Sequence, residues 1–99
     1  MIEKKVICFM RPTCPYCRYT IPLFTQVEKA FEGQGIDFQT VDISSDAQYY
    51  KNKYNFRTVP SVIYFKDGKE LFRHGSNNMW LSFNEMMSYV HEYLEELPD

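Results

Sequence analysis

The chain has 99 residues, enough for one domain and too few for a second. It is 44% apolar, 17% aromatic and 24% charged, with 4 glycines and 5 prolines, which excludes a disordered, collagen-like or low-complexity chain. A net charge of −2 gives no basic footprint for nucleic acid or for an anionic membrane surface.

Lys5 to Met10 (KVICFM) is a continuous β-prone run and predicts a strand buried on both faces. The run is too short for a membrane span or a signal-peptide core, so the chain is expected to begin near Met1 and to stay in the cytoplasm. Two prolines break the pattern between Arg11 and Pro15. From Pro15 onward Tyr19, Leu23, Phe24, Val27, Ala30 and Phe31 recur at helical spacing, until Gly33 and Gly35 stop the helix. Pro22 lies inside it and predicts a kink. Ile36 to Ile43 alternates as a half-buried strand does, and Ser44 to Asp46 start a short helix over Ala47–Tyr54. Phe56 to Pro60 reads as a loop and Ser61 to Phe65 as an apolar strand. Lys66-Asp67-Gly68-Lys69 is a tight hairpin, with Glu70 to His74 returning from it.

After Gly75 a polar loop leads to a last helix, opened by a capping box of Ser82 and Glu85. Phe83, Met86, Met87, Val90, Leu94 and Leu97 form its apolar face. Glu85, Glu92, Glu95, Glu96 and Asp99, with no Lys or Arg among them, read as a solvated acidic side. The order β-α-β-α-β-β-α predicts a single α/β domain over residues 1–99. Its mixed four-stranded sheet carries helices on both faces.

Three cysteines are an odd number and do not make a staple framework. Cys14-Pro15-Tyr16-Cys17 falls where a strand gives way to a helix. There the first sulfur lies near unpaired amides and the positive end of the dipole. Cys17 lies one turn inward, within reach for a short disulfide, and Arg11 and Arg18 add positive potential. A thiol of pKa ~8.5 is about 3% ionised at pH 7, whereas one of ~6 is about 90% ionised. Nucleophilicity falls with basicity, so the larger consequence is a good leaving group, which suits reversible exchange.

This pattern resembles the thioredoxin superfamily over nearly the whole chain. Cys14-Pro15-Tyr16-Cys17 matches the motif of dithiol glutaredoxins. The stretch Lys53 to Ser61 with Phe65 to Lys69 is similar to the thioredoxin segment that ends in a cis-proline and its hairpin. The resemblance implies a thioredoxin-like fold and a thiol–disulfide oxidoreductase with catalytic Cys14 and Cys17. It implies that Pro60 is cis and faces Cys14, and that Val59 offers backbone hydrogen bonds to an extended peptide or to glutathione. Gly75 matches the glycine that lets a substrate backbone approach. Arg11, Tyr16, Arg57, Thr58 and Ser76 complete the expected substrate-binding set. Thr13 stands where thioredoxins carry Trp, and Cys8 where they carry a buried Asp that takes the proton of the inner cysteine. Gly75-Ser76-Asn77-Asn78 is half of the glutaredoxin signature for the γ-glutamyl end of glutathione.

The expected substrates are protein or small-molecule disulfides, with no metal or other cofactor beyond the Cys14–Cys17 pair and a monomeric chain. Two reductants stand open, a thioredoxin-reductase-type flavoenzyme and glutathione as co-substrate. The rival from another class is a non-catalytic binding module, or a metal- or iron–sulfur-bridged dimer held through Cys14. Cys8 reads as a small buried hydrophobe, His74 and His91 as surface or edge residues, and Trp80 as core or lip.

Overall fold

The computed structural model describes residues 3–75 and 81–96. The elements are β1 (Lys4–Met10), α1 (Pro15–Ala30), β2 (Ile36–Asp42), α2 (Ala47–Tyr54), β3 (Ser61–Lys66), β4 (Lys69–Gly75) and α3 (Phe83–Glu95). The sheet order is β2-β1-β3-β4, with β1 parallel to β2 and the other two pairs antiparallel.

β1 is uniformly apolar because it is central and covered twice. Val6 and Cys8 join the core formed with Phe24 and Val27 of α1 and Met86, Val90 and Tyr93 of α3. Ile7 and Phe9 point the other way and join Ile63, Phe65 and Phe56 beneath α2. β2 lies at a sheet edge, and its alternation breaks midway: Ile36 and Phe38 pack against one core and Val41 against the other. Tyr93, with 0% exposure, ties α3 to the far end of the sheet: its hydroxyl donates to the Phe65 carbonyl and accepts from the Lys5 amide at 3.2 Å.

The local signals behave as their chemistry requires. Ser82 Oγ accepts from the Glu85 amide at 3.2 Å and Glu85 Oε1 from the Ser82 amide at 3.1 Å, closing the capping box. Asp67 and Gly68 adopt φ of 49° and 82°, the left-handed pair of a two-residue hairpin. α2 starts at Ala47, but Asp46 makes no side-chain cap. Asp42 instead holds the preceding turn, accepting the Ser44 amide at 2.9 Å and its hydroxyl at 2.6 Å. β4 contains a bulge, since Tyr64 faces Phe72 and Phe65 faces Glu70, leaving Leu71 as the extra residue. Leu97 and residues 76–80, which include Met79 and Trp80, lie outside the described residues.

His74 departs from expectation. It is on an edge strand, but the face it occupies is roofed by α3, and it is buried with its ring 4.5 Å from that of Tyr89. Nε2 is 2.9 Å from the Tyr64 hydroxyl. His91 is exposed as expected, its ring edge-on to Phe31. Burial pushes the His74 pKa down to about 4. The unfolded chain therefore binds a proton at His74 near pH ~6.5 that the folded chain refuses. Stability is expected to fall as pH drops from about 6.5 towards 4, by up to roughly 3 kcal/mol at this residue. Urea midpoints measured across that range check it: His74→Gln should show a flatter profile than the unmodified protein.

Candidate active site

The site forms where β1 ends. Arg11 to Thr13 make a turn closed by the Cys14 amide on the Arg11 carbonyl at 3.1 Å, and α1 starts at Pro15, where a proline costs no hydrogen bond. Cys14 is therefore the N-cap, with an extended backbone. It is half-buried, Cys17 is fully buried, and both are free thiols.

The Cys14 sulfur does not take the hydrogen bond from the first-turn amides that its position suggests. Its thiol donates across the site to the Val59 carbonyl at 3.6 Å. A thiol carries a proton, and the carbonyl is an acceptor where the helix amides are not. Cys17 accepts the Arg11 amide at 3.4 Å. Burial pushes the Cys17 thiol up to about 11, opposed by the Arg11 amide and reinforced by the neighbouring Cys14. The inner sulfur thus keeps its proton at neutral pH. Cys8 is wholly buried behind the pair, and burial pushes its thiol up to about 12.

The opposing wall is the loop from Asn55 to Pro60. The Val59–Pro60 bond is cis, as the resemblance implied. Thr58 and Arg57 are exposed, Val59 is half-buried and Pro60 is buried. Ser61, which sequence reasoning did not single out, holds the loop by donating to the Thr58 carbonyl at 2.8 Å. A serine directly after the loop proline was its only signal. Tyr16 is 38% exposed on the first turn of α1. Arg11 is half-buried, and its Nε is buried without a hydrogen-bond partner among the described residues. Arg18 folds back to donate to the Pro12 carbonyl at 3.1 Å.

Gly75 lies beside this wall. Its φ is 112°, and a Cβ there would sit 2.3 Å from the Pro60 carbonyl oxygen. The chain's own backbone therefore already demands glycine at this position. Ser76 falls outside the described residues. Among the described residues no cluster of three or more His, Cys, Asp or Glu is placed to hold a metal ion.

The family model described as Glutaredoxin matches residues 6–70. The chain is 37% identical over 67 residues to Glutaredoxin-1 of Oryctolagus cuniculus, covering 64% of this chain and 61% of that protein. It is 33% identical over 67 residues to a thioredoxin of Mycoplasmoides gallisepticum, covering 68% of this chain and 64% of the other. The match thus spans a little under two thirds of the length of either relative. Among solved structures, thioredoxin 1 of Thermosipho africanus TCF52B superposes with a TM-score of 0.72 at 28% identity, over 92% of this chain and 94% of that one.

Proposed function

Since the chain belongs to the glutaredoxin family, we propose that it is a dithiol thiol–disulfide oxidoreductase. The observation that carries this reading is the pair of free sulfurs at the start of α1. The outer one is half-buried and donates to Val59, and the inner one is fully buried one turn further along α1. Ionised Cys14 attacks one sulfur of the substrate disulfide, forms a mixed disulfide and releases the first substrate thiolate. Cys17 then attacks the Cys14 sulfur, its proton passing to the departing second thiolate. The products are a Cys14–Cys17 disulfide and two substrate thiols, so two electrons have moved to the substrate.

The environment supports each step. Once Cys14 has lost its proton it can no longer donate to Val59, and the first-turn amides and dipole of α1 become its natural partners. The Val59 carbonyl is then free for a substrate backbone. Cys8 offers Cys17 no base, because its own thiol is held protonated by burial. The Arg11 amide and guanidinium instead reduce the cost of ionising Cys17 during its attack. Tyr16 on the first turn of α1 and Arg57 and Thr58 on the Val59 loop are exposed, which supports contact with substrate.

Glutathione is our choice of reductant, supported by the family match through the loop and hairpin. Arg11 and Arg57 offer positive charge to its carboxylates. A thioredoxin-reductase-type flavoenzyme is the second reading, favoured by the similarity to thioredoxin 1. Turnover of one disulfide with NADPH and either glutathione plus its reductase or a thioredoxin reductase separates them. A rate at least about tenfold higher with glutathione is expected; the reverse ratio would reassign the donor.

A further inference from the structure

The loop that faces Cys14 is tied at its upstream end by a residue outside the motif. A regular strand turns residues three apart to opposite faces. The Leu71 bulge in β4 cancels that alternation and puts Glu70 and Arg73 on one face. Arg73 pairs with Ile63, whose side chain belongs to the core beneath α2, so its guanidinium reaches the end of that helix. Nη1 donates to the Asn55 carbonyl at 2.7 Å and Nη2 to the Tyr54 carbonyl at 2.8 Å. Glu70 accepts from Nε at 2.6 Å and also from Nη2, which fixes the fork in plane.

Tyr54 is the last residue of α2 and Asn55 its left-handed cap, with φ 55°. Helix-end carbonyls lack intrahelical partners, and a planar fork fits two of them where an ammonium does not. Four residues later comes Val59. We propose that Arg73, braced by Glu70 across the bulge, is a positioning residue that sets where Val59 presents its backbone to an extended disulfide substrate. The Arg73–Glu70 pair is partly exposed, and such pairs add little to global stability, so its main consequence is geometric.

This inference rests on the oxidoreductase reading for its substrate, and the experiment has one arm that does not. In Arg73→Ala, hydrogen exchange at the amides of Arg57, Thr58 and Val59 should rise about tenfold while amides in α3 stay within about twofold. Kinetics use a cysteine peptide disulfide-linked to thionitrobenzoate, and bis(2-hydroxyethyl) disulfide, which has no peptide backbone to align. KM for the peptide should rise about five- to tenfold with kcat nearly unchanged, and the small disulfide should be unaffected. Arg73→Lys, which keeps the charge and loses the fork, should recover little of the loss. The proposal is overturned by loop amides that do not respond, by loop and α3 amides that rise together, or by equal effects on both substrates. If the unmodified protein turns over neither substrate, the oxidoreductase reading fails by itself, and the exchange arm still decides whether Arg73 holds the loop.

Discussion

Cys14→Ser is expected to lower disulfide turnover on the order of a thousandfold or more, because a serine hydroxyl is scarcely ionised at neutral pH and cannot form the mixed disulfide. Cys17→Ser should behave differently. The half-buried outer sulfur remains, so the first attack proceeds and the protein accumulates joined to its substrate. An external thiol can still reach Cys14 and release the adduct, whereas a donor that needs a Cys14–Cys17 disulfide finds none. Turnover of Cys17→Ser should therefore persist with glutathione and vanish with a flavoenzyme donor. Intact mass after one substrate equivalent, with steady-state rates for both donors, checks this. Retention of full activity by Cys14→Ser would sink the mechanism. Adduct formation by Cys14→Ser through Cys17 would reverse the roles of the two sulfurs.

The parts of the fold legible in the sequence are those decided within a few residues. Capping by Ser82, the Asp67-Gly68 turn and the spacing of Phe24, Val27 and Phe31 each depend on neighbours one turn away, and each appears where the pattern puts it. The continuous run of β1 showed burial on both faces because only a central strand between two helical layers tolerates it. Contacts between distant segments were not legible. His74 looked like an edge residue because nothing in Glu70 to His74 reveals that α3 covers that face. Glu70 and Arg73 share a face only because of a bulge, which has no local signature in Lys-Glu-Leu-Phe-Arg. Within the site, the motif located both cysteines and the loop that ends in Pro60. The bond between Cys14 and Val59 joins residues 45 positions apart, and its direction follows from which atom holds a proton.

Gly75→Ala is expected to be the most damaging single-methyl change among the described glycines. Two costs act together. An alanine at φ 112° is strained by about 1–3 kcal/mol, and the new Cβ would lie 2.3 Å from the Pro60 oxygen and 3.0 Å from Ser61 Cα, both of them backbone atoms. Backbone cannot swing aside as a flexible side chain does, so β4 or the Pro60 segment must shift, at a further ~1–3 kcal/mol. For a domain of this size a total near ~3 kcal/mol lowers Tm by roughly 12–20 °C. Gly68→Ala supplies the comparison: its φ of 82° carries backbone strain, but a Cβ there meets nothing within 4 Å. Thermal unfolding of both variants separates contact from strain. Equal losses would mean that the Pro60 contact costs nothing. A larger loss at Gly75, with slower mixed-disulfide formation in the folded fraction, would show that this glycine lets β4 pack against the segment that carries Val59 towards Cys14.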